Sequence, residues 1–284
     1  ATSGIWKLKT TAYATPGNNG GFLKMEDRTN LDLDSSSNAH TFTTSGNLTP
    51  TEDNPSNVFA TMNSVATTNA IGNTITFSNG NTTGTNSGGG GWQPIMSTLA
   101  ASKGKYYAEF KVGAIGGASK YGIIDVSQYN GQVNWVSATR GYGYEYNEGA
   151  FTAGASLWDN SWSGITNFTT NDIISVAMDL DNMKLYFGKN GTWLQSADPT
   201  SGATGTGTQT YFGGSGNTAN ATGVDTYAFA MNIHNSSVTY ANFGNGYFGT
   251  TAVDSAGTNA SNIGIFEYDV PAGYTALSTK GLNS

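Results

Sequence analysis

The sequence predicts an all-β chain, an antiparallel β-sandwich preceded by an extended N-terminal arm or small β subdomain. Three observations carry this. Gly, Thr, Asn and Ser make up nearly half of the 284 residues, and these residues favour turns and make poor helix interiors. Apolar residues recur with period two in short runs, the mark of half-buried strands. The 6 Trp, 15 Tyr and 13 Phe residues give the chain more apolar surface to bury than a solvated coil carries.

The elements follow in order. Residues 1–60 are poor in strand signals. A short apolar alternation at 5–8 is followed by a Pro-Gly-Asn-Asn-Gly-Gly turn at 16–21 and a short strand at 22–25. This segment has too little apolar content for its own core. It is therefore expected to pack across a neighbour through Trp6, Phe22, Phe42 and Phe59; the alternative is that it folds back on its own sandwich as extra edge strands. Residues 61–91 hold two expected strands, 63–66 and 73–77, and then a Gly/Asn/Thr-rich linker or exposed loop over 78–91. The sandwich proper is expected over 92–284, with one helical turn at 94–102 as the sole helical feature. In 105–112, Tyr106, Ala108, Phe110 and Val112 share one face of a strand. Further strands are read at 121–126, around Tyr142, Tyr144 and Tyr146, and at 172–180 and 183–188. Asp181-Asn182 and Asn190-Gly191 supply hairpin turns, because Asn, Asp and Gly tolerate positive φ. Runs 227–233 and 237–243 are expected to pair across His234-Asn235-Ser236, and 264–268 to form a last strand.

Charge narrows the function. Only 11% of residues are charged and the net charge is −7. The 12 Lys and Arg are scattered singly, so no basic stripe exists to neutralise phosphates, and nucleic-acid binding is not expected. No apolar run is long enough for a spanning helix, and membrane insertion is not expected. With no cysteine, there is no disulfide framework, thiolate metal site or cysteine nucleophile.

Several constellations invite chemical readings. Asp179, Asp181 and Asn182 have calcium-type oxygens, but their place between two strands makes them a hairpin turn, and no metal is assigned. Gly244-Asn245-Gly246-Tyr247-Phe248-Gly249 spells a dinucleotide fingerprint. No helix signal follows it, so no cofactor is assigned. His40 and His234 sit in polar turns without nucleophile-elbow or zinc spacing. Glu145, Glu148 and Asp159 are the carboxylates available for glycosidic hydrolysis. The aromatic residues of the loops stand out more. Trp135 and the turn-rich segment Trp158-Asp159-Asn160-Ser161-Trp162 combine flat apolar faces with polar neighbours, as sugar sites and protein hot spots do. Trp135, Trp158, Asp159, Asn160 and Trp162 are the candidate binding residues. The alternative is that these Trp residues plug the ends of the sandwich.

From residue 92 to 277 the order of motifs resembles the SPRY domain, a concanavalin-like β-sandwich. The matching pieces are the Ser-Lys-Gly-Lys-Tyr-Tyr-Ala-Glu-Phe run at 102–110 and Gly-Tyr-Gly-Tyr at 141–144. They continue with 171–181, the Lys-Leu-Tyr-Phe-Gly-Lys-Asn-Gly run at 184–191, and 238–244. The stretch 172–191 is the most specific. Asn171 stands where a Gly is usual, and the insertion at 200–223 departs from the pattern. The flanks at 4–9, 19–23, 53–63 and 271–283 look like those of SPRY-bearing virion proteins of tailed bacteriophages.

The resemblance implies a non-enzymatic structural or binding protein on the virion, as tail fibre, tail tip, or capsid fibre and decoration protein. It implies other virion proteins as partners, a homo-oligomer or larger assembly, and contact with a host surface protein or glycan through loops. The family has no common catalytic residues. A secreted bacterial carbohydrate-binding module is the alternative, and a glycan-cleaving tailspike a weaker one.

Overall fold

A computed structural model describes residues 16–24, 27, 30–45, 50–66, 75–88, 91–129, 141–146, 149–152, 167–207 and 225–284. The chain divides into two compact units, Ala1–Thr51 and Glu52–Ser284.

In the larger unit the strands are β1 (Ile75–Ser78), β2 (Thr83–Asn86), β3 (Trp92–Met96), β4 (Lys105–Ala114), β5 (Ser119–Asp125), β6 (Gly141–Glu145), β7 (Gly149–Thr152) and β8 (Ile173–Asp179). They continue with β9 (Lys184–Lys189), β10 (Thr192–Trp193), β11 (Tyr227–His234), β12 (Val238–Asn242), β13 (Tyr247–Phe248), β14 (Thr251–Ala252) and β15 (Thr275–Ala276). One sheet runs β1-β2-β12-β4-β8-β9-β10, with β15 added in parallel to β4. The second runs β3-β11-β5-β6-β7. Apart from β15 the pairings are antiparallel, and the chain is the expected all-β sandwich.

The core lies between the two sheets, and the period-two pattern puts it there. Tyr106, Ala108, Phe110 and Val112 of β4 meet Tyr121 and Ile123 of β5, Tyr142 and Tyr144 of β6, and Phe229 and Met231 of β11 in one buried cluster. Phe110 stacks on Tyr121 at 5.4 Å, and its ring meets Phe243 edge-on at 5.8 Å. Offset and edge-to-face pairs of this kind add to simple area burial.

The β8–β9 hairpin has the expected register, with Val176 opposite Phe187 and Met178 opposite Leu185. Ile174, Val176, Met178, Leu185 and Phe187 all point into the core. The connection is longer than a two-residue turn, since the last pair is Asp179–Lys184. Asp179 accepts from Asn182 N at 3.0 Å and Asn182 Nδ2 at 2.8 Å, and Met183 takes φ +54° to close the loop. Between β9 and β10, Asn190 (φ +49°) and Gly191 (φ +77°) make the two-residue turn, the doubly left-handed geometry that Asn-Gly favours.

The structure departs from the sequence pattern at several places. Thr83–Asn86, expected in a linker, is strand β2, paired with both β1 and β12 and mostly buried. Its backbone carries the ladder hydrogen bonds while its Thr-Gly-Thr-Asn side chains show no hydrophobic period, which hides it from a hydrophobicity reading. Residues 63–66 are a bend held by Asn63 Oδ1, which accepts from Val65 N and Ala66 N. The region expected as a helical turn holds strand β3, with Pro94 inside it. Pro94 is tolerated because β3 is an edge strand, where a missing donor costs little. Strands β11 and β12 do not pair with each other: they lie in opposite sheets, and 235–237 is an arch between the layers. A hairpin and an arch have the same local pattern of two apolar runs around a polar turn.

The 264–268 segment is also no strand; Ile265 makes an isolated bridge to Asn245. It belongs to a layer, residues 253–280, that covers the outer face of the larger sheet. Ile263, Phe266, Val270, Tyr274 and Ala276 of that layer bury Tyr107, Ala177 and Tyr186. Residues 52–60, placed with the arm on sequence grounds, fall in this larger unit. Phe59 joins the same outer cluster, and Ala60 N donates to Leu277 O at 2.9 Å.

The smaller unit is knit by polar groups. Asp34 Oδ1 accepts from Phe22 N and Ser36 N at 2.8 Å each. Its Oδ2 accepts from Ser36 Oγ at 2.8 Å and His40 N at 2.9 Å. These donors, Phe22 N first, hold the Asp34 carboxyl well below the usual range.

Candidate functional site

The predicted binding residues Trp135, Trp158, Asp159, Asn160 and Trp162 lie outside the described residues, as does Glu148. The other sequence candidates are placed. Asp179 closes its own turn and pairs with Lys105 at 2.9 Å, and Asp181 Oδ1 accepts from Gly104 N at 2.8 Å. Residues 244–249 lead into β13, which pairs with β14 as a short hairpin and leaves no helix start there. Glu145 sits opposite Lys120 across β5 and β6, with 3.0 Å between their charged atoms. Lys120 Nζ lies 4.1 Å from the centre of the Trp92 ring, and Trp92 contacts His234 at 5.0 Å. Burial, and then Lys120, lower the His234 pKa.

A site that the sequence reading did not assemble lies over the outer face of the larger sheet. On β4, the residues alternate with the core set, so Tyr107 and Glu109 face outward under the 253–280 layer. Glu109 is fully buried. Its Oε1 accepts from Tyr268 N at 2.8 Å and Tyr107 OH at 2.9 Å. Its Oε2 accepts from Glu267 N at 2.8 Å and Asn242 Nδ2 at 3.4 Å. One carboxylate therefore ties the covering layer to the sheet. Desolvation outweighs these donors and pushes Glu109 up to about 7.

Beside this anchor a cleft of about 430 Å³ opens. Tyr107 and Ser175 form its floor, with 2.9 Å between their hydroxyl oxygens. One wall comes from the β9–β10 hairpin, with Gly188, Gly191 and Trp193; the other from the covering layer, with Ser255, Ala256, Gly257, Glu267, Tyr268 and Asp269. The Trp193 ring meets Tyr107 edge-on at 6.3 Å. A Cβ on Gly191 would come within 2.7 Å of the Tyr268 ring, so the left-handed glycine also lets that ring close down. The acidic groups are fixed by backbone donors. Glu267 Oε2 accepts from Asp254 N at 2.9 Å, and Asp269 Oδ1 from Thr258 N at 2.6 Å and Thr258 Oγ1 at 2.9 Å. The Thr258 donors hold Asp269 below the usual carboxyl range. Among the described residues no Lys, Arg or His lines the cleft.

One sequence signal pointed here: Glu109 is a charged residue at the centre of an apolar strand. Strand periodicity turns it away from the core but does not say what covers it. Trp193 and Tyr268 meet only through the tertiary fold.

The sequence matches no family model. It matches no curated protein. Among solved structures, the chain is similar to the SPRY domain of human HERC1, at 14% identity and a TM-score of 0.40, over 59% of this chain and 91% of that one.

Proposed function

We propose that the chain is a non-enzymatic binding protein of a tailed-bacteriophage particle, serving as tail fibre, tail tip or capsid fibre and decoration protein. The SPRY-like motifs and the virion-type flanks support this reading. The motif stretch 172–191 falls in the β8–β9 core hairpin and the Asn-Gly turn that leads from β9 into β10. The observation that carries binding over catalysis is how the acids among the described residues are used. Glu109, Glu267 and Asp269 each accept backbone N–H groups, Glu145 pairs with Lys120, and Asp179 closes a turn. Carboxylates committed to holding backbone are poor candidates for proton transfer, whereas a rigid cleft between them suits recognition.

Association is expected to depend little on salt, since 11% charged residues give little long-range steering. Antibody-labelled electron microscopy of purified particles tests the proposal. A defined, repeated label position on tail or capsid is expected, and absence of the protein from every particle overturns it. The cleft suits the alternative of a secreted carbohydrate-binding module equally well. That reading predicts the protein on bacterial surfaces in cultures that release no particles.

A further inference from the structure

We infer that the cleft between the β9–β10 hairpin and the 253–280 layer is a saccharide site for neutral sugars. This rests on the reading of the chain as a binding protein and gives that reading a ligand class. A pyranose presents C–H groups on its face and hydroxyls around its edge. It therefore needs an aromatic ring on one side and fixed acceptors and donors around it. Trp193, on the short edge strand β10, is half-buried and lines the cleft together with Tyr268. Edge groups are at hand: the carboxylates of Glu267 and Asp269 as acceptors, and the hydroxyls of Ser175 and Ser255 as donors or acceptors. Asp254 N and Thr258 hold the two carboxylates in place, so little ordering is required on binding. Gly188 and Gly257 let the walls close up: a Cβ on Gly188 would come within 3.3 Å of the Trp193 ring, and one on Gly257 would run into the Tyr268 backbone. The volume of about 430 Å³ accommodates a mono- or disaccharide.

Charge selects within the sugars. The lining carries two carboxylates and no basic group among the described residues, so sialylated, uronic and phosphorylated sugars are repelled and lack an ion partner. A cationic ligand is the competing class, because acids and aromatic rings also attract ammonium groups. Here the carboxylates already accept N–H donors and hydroxyls share the lining, an arrangement matched to hydroxyl edges.

The test uses the full chain. Methyl glycosides of neutral hexoses and N-acetylhexosamines are titrated by saturation-transfer NMR and calorimetry. Sialic acid and glucuronic acid glycosides, and tetramethylammonium, run beside them. At least one neutral glycoside is expected to bind, with little change in affinity between low and moderate salt. Trp193→Ala should weaken that binding about tenfold or more, roughly 1.4 kcal/mol. Ser255→Tyr, an exposed change at the rim, should block it without altering thermal unfolding. If Trp193→Ala fails to fold, Ser255→Tyr carries the test. The inference is overturned if no neutral glycoside binds, if the acidic sugars or tetramethylammonium bind in preference, or if a neutral glycoside binds Ser255→Tyr as well as the original chain. The virion proposal fails differently, by absence of the protein from particles, so the two failures can be told apart.

Discussion

Glu109 shows how a single residue joins stability to solution conditions. Its folded pKa of about 7 stands above the ordinary 4.5. The folded chain thus holds this proton more tightly than the unfolded chain. Its contribution is complete below the ordinary value and is lost as pH rises toward about 7. His234 acts in the opposite sense, since its pKa is lowered and its neutral form is the one the fold favours. The clean measurement is therefore a difference. The thermal midpoint of the original chain, relative to that of Glu109→Gln, should fall between about pH 5 and about pH 8. A constant difference across that window would show that Glu109 is ionised throughout. Lys120 gives a second residue-scale expectation. It and Glu145 are both buried and paired, so Lys120→Met removes a buried cation from beside the Glu145 carboxylate and should cost about 3–5 kcal/mol in urea unfolding. Adding Glu145→Leu should recover most of that loss, because an apolar pair replaces the ion pair. A single substitution with no effect would mean that solvent reaches Glu145.

Among the elements, the β8–β9 hairpin offers a direct test. Phe187 is buried opposite Val176 and packs near Tyr144 at 6.1 Å. Phe187→Ala should cost about 3–5 kcal/mol by urea unfolding, and a near-neutral result would put the face assignment in error. This hairpin was legible because two strand-period runs flank one polar stretch, although the connection spans residues 180–183 and is not the Asp181-Asn182 pair alone. The alternation at 105–112 was legible from its strand period, and all four inward residues of β4 reach the core. Legibility failed where local pattern does not fix partners. Strand β2 reads Thr-Gly-Thr-Asn and has no hydrophobic period to detect. Strands β11 and β12 have that period, but it does not distinguish pairing within a sheet from crossing between sheets. The cleft was illegible for a further reason. Its walls come from β10 and from an irregular layer near the C-terminus, and neither has a motif that announces the other. What the sequence did offer was Glu109 facing away from the core.

At the scale of the whole molecule, the boundary between the two units decides what the N-terminal segment does. The sequence pattern puts the end of the arm at residue 60; the compact units divide after Thr51. The nine residues between carry real contacts. Phe59 is 2% exposed within the outer cluster, Phe59 N donates to Asp53 Oδ1 at 2.9 Å, and Thr279 N donates to Val58 O at 2.9 Å. Two truncations should therefore behave differently. Removing residues 1–51 should leave the urea unfolding of the sandwich unchanged. Removing 1–60 should destabilise it by about 3–5 kcal/mol, the scale of losing one buried Phe, because Phe59 is withdrawn from the outer cluster. The smaller unit has a separate role in view. It is held by the hydrogen bonds of Asp34, yet it exposes Leu23 (38%), Leu33 (49%) and Phe42 (40%). Apolar side chains exposed on so small a unit are suited to contact with another chain. Light scattering and particle-attachment assays on the 1–51 truncation should then show loss of oligomer or of attachment while the sandwich stays folded. Equal attachment and equal oligomeric state with and without residues 1–51 would assign the smaller unit no part in assembly. Equal stability of the two truncations would return residues 52–60 to the arm.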